Sequence, residues 1–238
     1  MEPSVSADDR DGPEAAQRFA FDAARETIGT SSDVDSCASL AARIDLLMSQ
    51  AFGYFQKEGA GIACRAGCGF CCHLRVMVHP HEAIALFRYL GSRMPEDRAE
   101  RVRVRLIENA ARISGAVREN RKPESLACAF LVDNRCSAYE VRPSACSGYH
   151  SLSKEQCERA YEGAGASPGG IPILSALRYI ATALDEGLDQ ALAAAGLSAA
   201  PVELHTAVAA LIRNPRLIDR WRSGRSLLKG APGVAQKA

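Results

Sequence analysis

Nine cysteines occur in the 238-residue chain, and eight of them lie between Cys64 and Cys157. They form two groups, Cys64-x3-Cys68-x2-Cys71-Cys72 and Cys128-x7-Cys136-x9-Cys146-x10-Cys157. An odd count concentrated in under half of a chain of ordinary cysteine content points to metal ligation rather than to a disulfide scaffold. Eight thiolates match two four-coordinate zinc ions, or one cysteine-ligated iron–sulfur cluster with thiols to spare. Cysteine-only ligation serves both, so the expected cofactor is zinc or iron. Two Zn²⁺ ions held by eight thiolates would carry a net charge of about −4. Arg65, Arg75, Arg135 and Arg142 are interleaved with the cysteines and are the candidate counter-cations.

The spacing bears on which thiols share a site. Positions i, i+4, i+7 and i+8 of a helix fall within roughly 100° of one another, so Cys64, Cys68, Cys71 and Cys72 would share one helical face. Gly67 and Gly69 favour instead a loop wrapped around an ion. Either geometry brings the thiols together, yet neighbouring Cys71 and Cys72 diverge, which suits two ligand sets or a cluster of several irons. The stretch CAFLVDNRCSAY, starting at Cys128, reads as a hairpin turning at Asp133-Asn134. A two-residue turn sets Cys136 opposite Leu131 and Cys128 opposite Tyr139. Alternation then puts the two cysteines on opposite faces. Each group alone is badly shaped to surround an ion, and joint sites are expected. Cys146 and Cys157 fall near helix N-termini, where the dipole favours thiolate.

Other candidates are weaker. Cys37 lies on an apolar stripe and reads as core. His73 and His150 are alternative ligands, read here as hydrogen-bonding or surface residues. His79 and His81, flanking Pro80, read as capping or solvent-facing. Tyr139 and Arg142 read as donors to thiolate sulfur or as ordinary packing and surface residues.

The positioning elements are mostly helical. Apolar periodicity predicts helices over about Pro13–Ile28, Val34–Gln56 (Leu40, Ile44, Leu47, Met48, Ala51, Phe55), from Pro80 through Leu90, and Glu96–Arg118, the last with Arg98, Arg101, Arg105 and Arg112 outward. His73–Val78 reads as a short strand, and Ser153 with Gln156 as a cap for a short helix carrying Cys157. After a Gly-rich linker at 163–170, a helical run passes through Leu174, Leu177, Ile180, Leu184 and Leu188, with Gly187 a candidate break. Two short helices follow at 202–213 and 215–223. The expected fold is therefore mainly α, with helices around a small irregular cysteine-rich metal module that includes a short β-hairpin. The expected organisation is an acidic disordered tail (1–13), N-terminal helices (14–59), the cysteine module with inserted helices (60–162), a C-terminal helical region (171–229) and a loose tail (230–238).

A resemblance rests on CRAGCGFCCHLRVMVHPHEA followed by CAFLVDNRCSAYEVRPSAC. Together they resemble the YkgJ-type cysteine-cluster family, also described as a zinc- or iron-chelating domain. Its C-x2–3-C-x2-C-C group matches Cys64, Cys68, Cys71 and Cys72. Its CPFL-like segment matches Cys128, Phe130 and Leu131, and its C-x-I-Y-x-x-R-P-x-x-C segment matches Cys136, Tyr139, Arg142, Pro143 and Cys146. Cys157 matches an eighth cysteine of some members. The chain departs from the pattern at Ala129, Ala138 and Ser147. The resemblance implies a metal-chelating module over roughly 60–162. Flagellin lysine methylases are similar in cysteine motif, which implies an alternative: an iron–sulfur or iron-dependent enzyme of protein or small-molecule modification. A thiol redox protein cycling Cys71-Cys72 explains eight clustered cysteines poorly.

Composition is that of an ordinary globular chain, 47% hydrophobic and 24% charged with a net charge of +1. That balance indicates neither nucleic acid nor an acidic partner. Residues 212–229 hold six bases and one acid around Trp221, a pattern read as a solvated helix face rather than a nucleic-acid patch. Arg178 interrupts the best apolar run, so no membrane span is expected. The acidic start lacks a secretory n-region and h-region, and a cytoplasmic location is expected. The partner expected is a metal ion.

Overall fold

A computed structural model describes residues 7–29, 31–121, 125–163 and 170–228. The fold is mainly helical, as the periodicity predicts. Helix α1 spans Ala7–Thr27, α2 Val34–Lys57, α3 Pro80–Ser92, α4 Glu96–Arg118, α5 Ser144–Ser147, α6 Lys154–Tyr161, α7 Ser175–Ala194, α8 Leu204–Arg213 and α9 Leu217–Arg222. Helix α1 begins inside the segment expected to be a tail. Residues 1–6, most of the Gly-rich linker and 229–238 lie outside the described residues.

Local chemistry sets the helix starts. The Asp33 carboxylate accepts the Ser36 N–H at 2.8 Å, and the Ser153 hydroxyl accepts the Gln156 N–H at 3.2 Å. Pro80 occupies the first turn of α3, where a missing N–H costs nothing. Glu203 accepts both the His205 and Thr206 N–H groups at the start of α8.

Helix α1 packs along α7, α2 against α3, and α4 and α3 against α8. Leu40, Ile84, Leu106, Leu177, Leu184 and Leu188 are fully buried between these pairs, each contributing roughly 1.5–3 kcal/mol of burial. Cys37 is buried with them, as expected. Gly187 is not a break. Helix α7 runs through it, and a Cβ there would collide with the Gln17 carbonyl oxygen of α1. Its bare Cα lets the two helices cross closely.

Strands are few. Of the predicted strand His73–Val78 only β1, Met77–Val78, forms, and it pairs antiparallel with β4, Val202–Glu203. The latter was expected to be helical. The hairpin β2 (Leu131–Val132) and β3 (Arg135–Cys136) has the predicted two-residue turn, with Asp133 and Asn134 at φ of 49° and 56°. Among the described residues no helix is long and apolar enough to cross a membrane. Trp221 is fully buried and donates to the Ser198 carbonyl at 2.8 Å, so it is core and not an exposed stacking ring.

Candidate metal centre

The first cysteine group sits on a loop rather than a helix. The Cys68 N–H bonds back to the Arg65 carbonyl at 3.0 Å, and Gly67 takes the left-handed conformation at φ +87°. A 3₁₀ turn over Phe70–His73 then carries Cys71 and Cys72. The second group is spread over the hairpin, α5 and α6.

Backbone bonds join the groups. The Cys128 N–H donates to the Cys72 carbonyl at 2.7 Å, and the Ala63 N–H to the Ser151 carbonyl at 2.9 Å. The Ser125 hydroxyl donates to the His73 carbonyl at 2.8 Å. The two-residue turn sets Leu131 opposite Cys136, as expected. Strand pairing ends at that pair, and the Leu131 N–H bonds the Cys128 carbonyl in a turn before it. The Cys128 and Cys136 sulfurs are close enough for one thiolate to raise the pKa of the other.

The influences among thiols sort them into sets. Cys64 feels Cys68, Cys71 and Cys157. Cys146 feels Cys128, Cys136 and Cys71. Cys71 thus faces both sets, and it is hydrogen-bonded to Cys72. As the side chains stand, no group of three or more His, Cys, Asp or Glu among the described residues is arranged to hold an ion.

The donor set nevertheless suits thiolate. The Ser151 N–H donates to Cys64 Sγ at 3.3 Å. The Phe130 and Leu131 N–H groups likewise favour the Cys128 thiolate, and the Ala138 N–H that of Cys136. Such bonds stabilise the charged form. Burial works against them and prevails: it raises Cys64 and Cys128, and lifts Cys136 to about 11. Cys146 is pushed well above the ordinary thiol value by burial despite its place at the start of α5. The dipole of a four-residue helix does not offset that desolvation.

Two cations reach the thiols. Arg142 acts on Cys71 and Cys136. Its guanidinium stands 4.0 Å over the Tyr139 ring, and its Nε lies 3.6 Å from Asp45 Oδ1 on α2. The other is Arg105, which acts on Cys128. It was expected to face outward, yet it donates to the Leu131 carbonyl at 2.7 Å and the Cys128 carbonyl at 2.9 Å. Arg65, Arg75 and Arg135 are exposed instead.

Several positioning residues escaped the sequence reading. Asn109 Nδ2 donates to the Ala127 carbonyl at 2.8 Å, and the Ala129 N–H donates to His205 Nε2 at 3.2 Å. With Arg105 they clamp the Cys128 turn to α4 and α8. The signals were Asn109 and Asp45, polar residues on otherwise apolar helix faces.

The histidines divide. His73 Nδ1 lies 3.1 Å from the Gly69 carbonyl. His150 is buried against the Phe52 ring at 4.5 Å, and burial holds it down at about 4. His79 caps α3 as expected, but His81 is fully buried rather than solvent-facing. Burial opposes the charge of His79, while Asp189 at 2.9 Å and the carboxylates of Glu82 and Asp185 lift it to about 10. Glu82 also accepts the Ser144 N–H at 2.8 Å, and the Ser144 hydroxyl donates to Asp185 at 2.7 Å. This network ties α3 and α7 to α5, the carrier of Cys146.

Residues 63–162 match the model of the CxxCxxCC family, described as a putative zinc- or iron-chelating domain. The family resemblance carried by the cysteine motif is thereby shown for this segment, and metal chelation is the property its family description gives. No curated protein and no solved structure matches the chain.

Proposed function

We propose that Cys64, Cys68, Cys71, Cys72, Cys128, Cys136, Cys146 and Cys157 chelate zinc or iron in a cytoplasmic metal-binding protein, and that the metal completes the folding of the segment carrying them. One observation carries this reading: the Ser151 N–H donates to the part-buried Cys64 sulfur at 3.3 Å. An N–H directed at a buried sulfur suits a thiolate, and the metal supplies the positive charge that keeps a buried thiolate ionised. Without it burial favours the protonated thiol, which speaks against a thiol redox function needing low-pKa cysteines.

The neighbour relations support joint sites. On this reading Cys64, Cys68 and Cys157 would belong to one set and Cys128, Cys136 and Cys146 to the other, with Cys71 and Cys72 shared between them; the mutual influence of the thiols supports it. Side-chain rotations would draw each set together. The first set ties Cys64 and Cys68 to Cys157 about 90 residues on, where loop closure gains more than among nearby ligands.

Anaerobic purification with elemental analysis and a visible spectrum tests the reading. A colourless protein with about two zinc ions per chain supports closed structural sites. A brown one with iron and sulfide supports the second reading, an iron–sulfur enzyme, which one observation favours: Cys68 lines an open cavity. A chain that retains neither metal overturns both. Cys157→Ser and Cys136→Ser should each lose one of two zinc ions, whereas joint loss would count against separate sets.

A further inference from the structure

Beside the first cysteine group lies a cavity of about 290 Å³. Cys68 forms part of its lining, together with Arg65, Lys154, Phe70, His73 and Tyr161. The rings make one wall: Phe70 and Tyr161 have centroids 5.7 Å apart, and His73 and Tyr161 4.6 Å apart. Among the described residues no Asp or Glu lines it.

The two cations are available to a ligand. Among the described residues no carboxylate pairs with Arg65, and it is not among the main influences on the neighbouring Cys64 thiol. Among the described residues Lys154 pairs with Glu158 alone, at 3.9 Å with both side chains about half exposed, and such a pair is held weakly in water. Lys154 also opens α6, whose N-terminal dipole adds to the positive potential. A concave site with an aromatic wall and two cations in its lining suits flat molecules bearing negative charge.

We propose that this cavity binds a small ring-bearing anion, a carboxylate or phosphate ester, with its charge on Arg65 and Lys154 and its ring against Phe70, His73 and Tyr161. The bound molecule stands beside Cys68. Its nearness to a metal rests on the reading given above, whereas the charge and shape of the cavity do not. The cavity is too small for a folded partner to enter, so the occupant is a small molecule.

The test titrates the purified full-length chain with benzoate, phenyl phosphate and neutral benzamide, following amide NMR signals of residues 67–73. Metal content is measured on the same sample. The expected result is saturable binding of at least one anion, at least tenfold tighter than benzamide, and weakened about fivefold or more by Arg65→Gln and by Lys154→Gln. Both side chains are exposed, so neither variant threatens the fold. Equal binding of benzamide, unchanged binding in both variants or no saturable binding overturns the proposal. Anion binding by a chain that holds no metal would overturn the metal reading and leave this inference standing. Metal retention without anion binding would do the reverse.

Discussion

Replacing Arg142 should cost far more than replacing Asp45, the carboxylate it pairs with. The two are 3.6 Å apart with side chains only 13% and 9% exposed. At an effective dielectric of about 20 that separation corresponds to roughly 4–5 kcal/mol of gross attraction, before the desolvation of both charges is set against it. The direction of the Asp45 shift gives the balance. Its carboxyl is raised because burial outweighs the attraction of Arg142, so keeping it ionised costs stability as pH rises above the ordinary carboxylate value. Asp45→Asn should therefore change the unfolding free energy by no more than about 1 kcal/mol. Arg142→Gln leaves a buried carboxylate without its cation and should cost about 3–5 kcal/mol, including roughly 0.5–1 kcal/mol from the lost stacking on Tyr139. The double variant should recover about 2 kcal/mol or more of that loss, because the stranded charge is gone. Urea denaturation of the four proteins as purified, with their metal content matched, measures the cycle at pH 7. Asp45→Asn as damaging as Arg142→Gln, or a double variant no better than Arg142→Gln alone, would refute the reasoning. On the metal reading, Arg142→Gln should also release metal more readily to a chelator, since this cation acts on Cys71 and Cys136.

Chelation should speed amide exchange between Cys64 and Cys157 while α1 and α7, which bury their own apolar faces, stay protected; unchanged exchange in the cysteine segment after complete metal removal would contradict this. His79 has a folded pKa of about 10 against an ordinary 6.5, so its stabilisation is full below pH 6.5 and is lost as pH rises through 10. Between pH 7 and 9 the chain should lose on the order of 2 kcal/mol that His79→Gln does not lose, after allowance for the exposed Asp189; parallel pH profiles would show that no such stabilisation exists. Gly187→Ala should destabilise by roughly 1–3 kcal/mol, because its Cβ would collide with the Gln17 carbonyl; a stabilised variant in thermal melts would mean that α1 does not cross there. Cys37→Ala should leave metal content intact and cost about 1 kcal/mol, whereas a lost ion in elemental analysis would make Cys37 a ligand.

Much of the fold was legible because its signals are local. Apolar residues at helical spacing bound α4 to Glu96–Arg118, Asp133-Asn134 supplied the hairpin turn, and Ser153 the cap of α6. The cysteine spacing also sufficed to suggest the family that residues 63–162 match. Each of these depends on residues within a few positions of one another, where backbone geometry and side-chain type decide the outcome. The rest depends on packing between distant segments. Arg105 turned inward because the Cys128 turn, 23 residues away, presents carbonyls to it, and Asp45 met Arg142 because α2 lies under the cysteine module. The Cys128 N–H met the Cys72 carbonyl, 56 positions earlier, and α6 docked against the 3₁₀ turn that carries Cys71 and Cys72. Residue types and periodicity determined which groups this protein has for chemistry and which segments are helices. The packing of those helices decided which thiols meet, which cations reach them and which histidines are buried, because such contacts join residues whose separation along the chain carries no information about their distance in space.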